Sequence, residues 1–349
     1  IKFYLKVQVV FQSKKIDNIF PLFYKNNSFF YSTTCVIIVI LNLLKYKFPI
    51  MNVLIIGGSG FIGKHLTNNF CHQKNCNVYT IDLQVSENIT GNNIYIGDIK
   101  DPKFIKKCIK ETQPDLVYYL VSFFSFNNIE NSISSIKNSL VSLQNLFKNL
   151  VSRQRLIFIG SSAQYGKVPS NLQPVKENSG FYPVSRYGIF KIFEEYEIRR
   201  LAKEHNIDVV GARVFNITGP GEPDRMVGGS IISQLKNNNK IKMGNLMSKR
   251  DILDVRDVAN ALVFIGKKGK SGEVYNVCSG KSILIKNYLD LITNELRIKP
   301  KITIDQNRVD RNDIKDLVGD NTKITKELDW QIEYDISKSI KDIVKNFYL

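Results

Sequence analysis

Histidine is nearly missing from this chain: three residues, His65, His72 and His205, in 349. Each sits in a helical pattern beside Lys or Asn, with no second histidine or acid at metal-ligand spacing, so all three are expected at the surface and no metal site is expected. Cysteine is almost as scarce. The five thiols, Cys35, Cys71, Cys76, Cys108 and Cys278, show no paired spacing of the kind that holds zinc, and a chain this long needs no disulfide staples; a reducing, cytoplasmic setting fits. Acidic charge is short too, with 32 Asp+Glu against 49 Lys+Arg and a formal net charge of +17. That excess raises the question of nucleic acid, but the basic residues are mostly Lys and scattered, with no run longer than pairs such as Lys106-Lys107. A solvated Lys-rich surface is expected, and no nucleic-acid partner.

Long apolar runs are lacking as well. Thr34 to Leu44 would span only about 17 Å as a helix, against a hydrocarbon core of roughly 30 Å; extended back through Phe29, Phe30 and Tyr31 it makes at most a marginal anchor or signal-like segment. Residues 1–50 carry seven Lys against one Asp and keep no helical or strand period. They are read as an extension outside any domain, translated sequence upstream of a start at Met51, and no membrane contact is expected for residues 51–349.

Chemistry begins at Met51. Val53-Leu54-Ile55-Ile56 is a short buried-strand pattern ended by Gly57-Gly58-Ser59-Gly60-Phe61-Ile62-Gly63, after which Leu66 and Phe70 fall at helical spacing. Strand, glycine turn and helix in that order suit a pyrophosphate, because the turn is tight, the backbone approaches closely and the helix N-terminus aims free N–H groups at the anion. A second strand, Asn77 to Ile81, ends in Asp82, at the distance where a carboxylate accepts from the adenine ribose hydroxyls. Leu83 follows rather than Arg, so the site is read as preferring NAD(H) to NADP(H). Asp98, closing the strand Ile94 to Asp98, is placed either at the adenine edge or as a helix N-cap.

Further strands, Leu116 to Val121 and Leu156 to Ile159, are separated by a helical pattern from Ser132 to Leu150, which implies a parallel, doubly wound sheet. The strand ending at Ile159 runs into Gly160-Ser161-Ser162-Ala163-Gln164-Tyr165-Gly166, and Tyr187 to Lys191 opens a helical pattern running to His205. Tyr187 and Lys191 are four apart and share a helix face. An ammonium beside a phenol favours phenolate, so the pair can act as a tuned general acid or base, with a strand-end serine steadying the substrate oxygen. Taken alone, the pair also reads as a core tyrosine and a solvated lysine.

Together, the glycine turn, Asp82, the serine strand end, Tyr187-x-x-x-Lys191 and Arg213-Val214-Phe215-Asn216 resemble the extended short-chain dehydrogenase/reductases, the NAD-dependent epimerase/dehydratase family that acts on nucleotide-sugars. The resemblance covers Met51 to Leu349. It implies an α/β fold: a Rossmann-like, doubly wound parallel sheet over residues 51–220 and a smaller mixed α/β substrate lobe over 221–349, some segments of which return to the first domain. It implies Ser161, Tyr187 and Lys191 as the catalytic set, Ser161 standing four residues before Tyr165-Gly166 as in the family motif. Cofactor contacts fall to Gly57, Gly60, Phe61, Ile62, Gly63, Asp82, Asp98, Ile99, Asn138, Tyr187 and Lys191, and substrate contacts to Ser162, Asn216, Arg250 and Arg311.

Within the family, Phe215 to Gly221, Gly244-Asn245-Leu246, Arg250-Asp251, Asp254 to Asp257, Tyr275 to Gly280, Arg311-x-Asp313 and Val318-Gly319-Asp320 are similar to GDP-4-dehydro-6-deoxy-D-mannose reductases. Arg250 and Arg311 have the forked geometry that meets a diphosphate, though an Arg followed by Asp is more often a surface ion pair. A 4,6-dehydratase of the family needs carboxylates two or three positions beyond the hydroxyl residue, where this chain has Ala163 and Gln164, and a 3,5-epimerase-reductase would show Cys at Ala163. A 4-keto reductase acting on a nucleotide-linked 4-keto-6-deoxyhexose, a nucleotide-hexose 4-epimerase, and a non-catalytic dinucleotide-binding scaffold remain, in that order, with a homodimer expected. Tyr118-Tyr119-Leu120-Val121-Ser122 stands where such enzymes usually carry His-Leu-Ala-Ala, so altered packing is expected on the nicotinamide side.

Overall fold

The run Val53 to Ile56 is buried inside a sheet because it is apolar toward both of that sheet's faces. The computed structural model describes residues 50–84, 93–124, 129–237, 239–306 and 314–345. The readings made on residues 1–49 and on Arg311 fall outside them. The strands are β1 (Met51–Ile56), β2 (Cys76–Asp82), β3 (Ile94–Ile96), β4 (Leu116–Tyr119), β5 (Arg155–Ser161), β6 (Asp208–Val214), β7 (Asn216–Thr218), β8 (Lys240–Met243), β9 (Lys249–Asp254), β10 (Val274–Val277), β11 (Ser282–Leu284) and β12 (Lys301–Ile304). The helices are α1 (Phe61–Cys71), α2 (Pro102–Thr112), α3 (Ile129–Phe147), α4 (Arg186–His205), α5 (Val227–Asn237), α6 (Val255–Lys268), α7 (Ile285–Glu295), α8 (Thr322–Leu328) and α9 (Ile336–Lys345).

Seven strands form one parallel sheet in the order β10-β6-β5-β4-β1-β2-β3. Alternation along β1 divides its side chains: Val53 and Ile55 enter a core with Leu66 and Phe70 of α1 and Val258, Ala259 and Leu262 of α6. Leu54 and Ile56 enter the opposite core with Ile105 and Ile109 of α2, Leu143, Leu146 and Phe147 of α3, and Ile198 and Leu201 of α4. Each such side chain, removed from water, contributes about 1.5–3 kcal/mol before entropy is counted. Covering both faces with helices explains why these strands are continuous apolar runs and not alternating ones.

The chain travels outward from β1 through β2 to β3, then returns to place β4 on the other side of β1. That reversal opens a crevice beyond the carboxyl ends of β1 and β4, where open α/β sheets bind their ligands. β10 comes late in sequence yet pairs with β6, so a segment beyond Gly221 rejoins the large sheet. The remaining strands make two small sheets, β11-β9-β7 and β12-β8. A separate core of Ile231, Leu235, Ile241, Met243, Tyr288, Leu289, Ile292 and Ile340 joins α5, β8, α7 and α9.

The Tyr118 hydroxyl donates to the Leu262 carbonyl at 3.1 Å in one core, and the Tyr119 hydroxyl meets Ser142 Oγ at 2.7 Å in the other. One expectation is corrected here. His65 is half-buried and not a solvated surface residue. Its ring nitrogen Nε2 bonds the Pro220 carbonyl at 3.0 Å, and burial pulls its pKa below the usual histidine value. Among the described residues no helix is long and apolar enough to cross a membrane.

Asp257, in the first turn of α6 and 1% exposed, accepts from the backbone N–H of Glu333 and of Tyr334, each at 3.0 Å. Burial raises its pKa to about 6. A carboxyl that binds its proton more tightly when folded contributes stability below its unfolded pKa near 3.8 and loses it as pH rises through about 6. Relative to Asp257→Asn, the wild-type protein is therefore expected to lose up to about 3 kcal/mol between pH 4 and pH 7. Urea midpoints for both proteins across that range check this, and a difference independent of pH would contradict it.

Candidate active site

The glycine turn after β1 is built for close approach. Gly57 takes φ +89°, and its N–H donates to the Ile81 carbonyl at 2.8 Å, which sets the turn against β2. A Cβ on Gly63 would overlap the Gly57 carbonyl oxygen and lie 2.8 Å from Gly58 Cα, so only glycine lets α1 rest directly on the turn. Gly60 is the N-cap and has no side chain to occupy the first N–H groups of the helix. Those groups and the helix dipole remain for an anion. This cradle fits a dinucleotide pyrophosphate. Phe61 stands edge-on to His65, with ring centroids 6.0 Å apart, and Ile62 lies against the core, so both offer the site their backbone. Gly63→Ala is expected to weaken dinucleotide binding by at least about 100-fold, the order of roughly 3 kcal/mol, as read by calorimetric titration. An affinity within threefold of wild type would contradict that.

Asp82 ends β2 with its carboxylate over the same turn: Oδ2 accepts from the Ser59 N–H at 2.9 Å and Oδ1 from the Leu83 N–H at 2.8 Å. Asp98 accepts from the Lys100 N–H at 2.9 Å and pairs with the Lys100 ammonium at 3.3 Å. The N-cap of α2 is Asp101, not Asp98. Ile99 is buried in the α2–α3 core, leaving only its backbone for a ligand. Asn138 lies half-buried on α3.

Ser161 is the last residue of β5, and Ser162 opens a short 3-10 turn over Ser162–Gln164. The turn is held reciprocally. Ser161 Oγ accepts from the Ala163 N–H at 3.2 Å, while Gln164 Oε1 accepts from the Ser161 N–H at 2.7 Å. Gln164 is fully buried, and its Nε2 donates to Glu195 Oε2 at 2.8 Å. Glu195 in turn takes Arg213 through Nη2 at 2.7 Å and Nε at 3.0 Å, and that guanidinium lies over the rings of Tyr165 and Phe181. Although burial opposes it, the Arg213 charge keeps the Glu195 carboxyl below the usual range. Sequence reasoning used Gln164 only to exclude a carboxylate; the signal for its structural part was the Ser-x-x-Gln capping pattern.

Helix α4 starts against this turn. Ser185 caps it by accepting from the Gly188 N–H at 3.1 Å, and a Cβ on Gly188 would overlap the Ala163 carbonyl oxygen. Tyr187, in that first turn, is thereby set beside the strand end that carries Ser161. Phe124 meets the Tyr187 ring at a centroid distance of 5.3 Å and an interplanar angle of 63°, an apolar wall on that side. One turn on, Lys191 is 5% exposed, with its ammonium donating to the Ile159 carbonyl at 2.9 Å and to Glu194 Oε2 at 2.7 Å. Burial alone would lower the Lys191 pKa, but the Glu194 carboxylate, with Tyr187 helping, leaves it above the usual lysine value.

The proposed substrate residues are less concentrated. Asn216, exposed at the start of β7, donates from Nδ2 to the Asp251 carbonyl at 3.3 Å. Arg250 donates to the Ile314 carbonyl at 2.6 Å, a few residues from Arg311, which lies outside the described residues. Arg250 and Asp251 face opposite ways. The buried Asp251 carboxylate accepts from the Ser279 hydroxyl and N–H and from the N–H groups of Gly280 and Gly319, while burial raises its pKa. Among the described residues no group of three His, Cys, Asp or Glu side chains is arranged to hold a metal ion.

The chain is 27% identical to a GDP-6-deoxy-D-mannose reductase of Pseudomonas aeruginosa over 222 residues, 61% of this chain and 73% of that protein. Its fold matches a structure of RMD from Pseudomonas aeruginosa complexed with NADPH at a TM-score of 0.74 and 24% identity, covering 85% of this chain and 99% of that one. It also matches a UDP-glucose 4-epimerase from Thermotoga maritima, solved with UDP-glucose, at a TM-score of 0.78 and 20% identity, covering 85% and 99%. The model of the NAD dependent epimerase/dehydratase family matches residues 53–278. With that match spanning more than half of the chain, over the glycine turn, the serine strand end and the Tyr187–Lys191 helix, the protein belongs to the NAD dependent epimerase/dehydratase family and is an NAD(P)-dependent enzyme.

Proposed function

We propose that the protein reduces the C4 keto group of a nucleotide-linked 4-keto-6-deoxyhexose. The observation that supports this reading is the seating of the first turn of α4, which includes Tyr187, on the Ala163 carbonyl, with the Lys191 ammonium bonded to the Ile159 carbonyl of the strand that ends in Ser161. The dinucleotide, held by the Gly57–Gly63 cradle, supplies the hydride to the carbonyl carbon when bound. Tyr187 gives its phenolic proton to the carbonyl oxygen, Ser161 Oγ donates a hydrogen bond to that oxygen, and Lys191 holds the nicotinamide ribose. A positioned acid of this kind contributes roughly 10²- to 10⁴-fold. Ala163 and Gln164 have no carboxyl to take or return protons elsewhere on the sugar, which favours simple hydride chemistry over dehydration. The likeness to a GDP-6-deoxy-D-mannose reductase supports a GDP-sugar of the 4-keto-6-deoxy class.

In this reading Asn216, Ser162, Arg250 and Arg311 meet the nucleotide-sugar in a cleft between the sheet and the lobe formed after Gly221. Asp82 takes the adenine ribose, which favours NAD(H) over NADP(H), since a carboxylate there repels a 2′-phosphate. Ile133 and Ile136 on α3 and Ile189 and Tyr196 on α4 are exposed, at 65%, 38%, 57% and 64%, and are assigned to contact with a second copy in a homodimer. Among the described residues, Cys76, Cys108 and Cys278 form no disulfide, in accord with a reducing, cytoplasmic setting.

The test is NAD(P)H oxidation with GDP-, UDP- and dTDP-linked 4-keto-6-deoxyhexoses, comparing wild type with Tyr187→Phe. Stoichiometric oxidation by wild type, reduced about 100-fold or more in the variant, is expected. Conversion of a nucleotide-hexose at C4 without net cofactor oxidation would establish a 4-epimerase instead. Dinucleotide binding without turnover of any such substrate would leave a non-catalytic binding protein.

A further inference from the structure

We propose that Glu194 is a positioning residue that supplies the counter-charge of Lys191 and thereby sets how evenly the site holds the oxidised and the reduced cofactor. This rests on the reading of Lys191 as the residue that meets the nicotinamide ribose. The Lys191 and Glu194 side chains are 6% and 4% exposed, and their charged atoms lie 2.7 Å apart. The other Glu194 oxygen accepts from Ser139 Oγ at 2.7 Å. Beyond it, Ser142 Oγ donates to the Ser139 carbonyl at 2.9 Å and meets the Tyr119 hydroxyl at 2.7 Å. Ser139, Ser142 and Tyr119 are all buried, so this chain of bonds ends inside the core and gives a proton no route to water. It anchors the carboxylate. The adjacent glutamate serves another purpose, because Glu195 is taken by Arg213 and Gln164.

The physical consequence concerns charge. An oxidised nicotinamide ring is cationic and a reduced one is neutral, so a lone buried ammonium nearby would select against the oxidised form. A carboxylate in contact reduces that ammonium to one end of a dipole, and the selection falls.

Dissociation constants for NAD(P)+ and NAD(P)H, measured by calorimetric and fluorescence titration of the full chain, test this without any sugar substrate. In Glu194→Gln, NAD(P)H should bind within about threefold of wild type and NAD(P)+ about tenfold more weakly, the order set by one unit charge at low effective dielectric. Ser139→Ala loosens the carboxylate but keeps its charge, and should leave the ratio of the two constants within about twofold. Lys191→Met should move the ratio the other way, toward the oxidised form, and it carries the test if the glutamine variant does not fold. Equal weakening of both forms in Glu194→Gln, or a ratio shift as large in Ser139→Ala, would overturn the proposal. So would a Lys191→Met ratio that moves toward the reduced form. Failure of wild type to bind either form would sink the nicotinamide reading together with this one, whereas binding with an unshifted ratio in the variants would sink this one alone.

Discussion

Gly188→Ala is expected to lower kcat/KM by at least about 10³-fold while dinucleotide affinity stays within a few-fold of wild type. The added methyl would overlap the Ala163 carbonyl oxygen, lie 3.1 Å from the Ala163 carbonyl carbon and 3.2 Å from Pro183 Cβ. Backbone cannot yield as a side-chain tip can, so the first turn of α4 has to lift away from the Ser161 turn. Tyr187 moves with it. A displacement of roughly 1 Å at a reacting group costs on the order of 10²-fold, and loss of proton donation multiplies that. The glycine cradle leads into α1 and not α4, so of the cofactor contacts only those of Tyr187 and Lys191 are disturbed and most of the binding should survive. Lys203→Ala, exposed near the far end of the same helix, serves as the control and should keep full activity. Turnover within tenfold of wild type in Gly188→Ala would mean that the seating of this helix does not hold the chemistry.

The largest loss of stability is expected from Glu195→Ala. Its partner Arg213 is 4% exposed and makes two bonds to the Glu195 carboxylate, so the variant leaves a guanidinium buried without its counter-charge. Breaking a buried pair from one side typically costs about 3–5 kcal/mol. It also frees the amide of Gln164, whose other end holds the Ser161 N–H. Unfolding in urea should show the full cost, and pairing Glu195→Leu with Arg213→Met should recover more than half of it, since apolar groups of similar size need no partner. A single variant within about 1 kcal/mol of wild type, or a double variant no better than the single, would show that the pair is not the strut described here.

Some of this was legible in local sequence. Strand, glycine turn and helix from Val53 to Phe70 are specified by neighbours a few residues apart, and the shared face of Tyr187 and Lys191 follows from helical spacing alone. The partners of the charged groups were not legible, because they come from far along the chain. Ser139 reaches Glu194 across 55 positions, and Asp251 is satisfied by groups 28, 29 and 68 positions away. Asp251 in Arg250-Asp251 therefore looked like half of a surface pair, although strand alternation sends the two side chains apart. His65 was misjudged for a related reason: Lys64 beside it suggests a solvated face, and only the return of the Pro220 segment covers it.

The residue order of this protein by itself determined the doubly wound sheet, the anion cradle after β1, and the phenol and ammonium one helical turn apart, since periodicity and turn chemistry act over a few residues. Only the tertiary structure decided that Lys191 is paired with Glu194, that Gln164 and Arg213 brace Ser161, and that Gly188 seats α4 against the Ser161 turn. Burying a charge or fitting two backbones together depends on whatever folding brings alongside, and no local pattern encodes that.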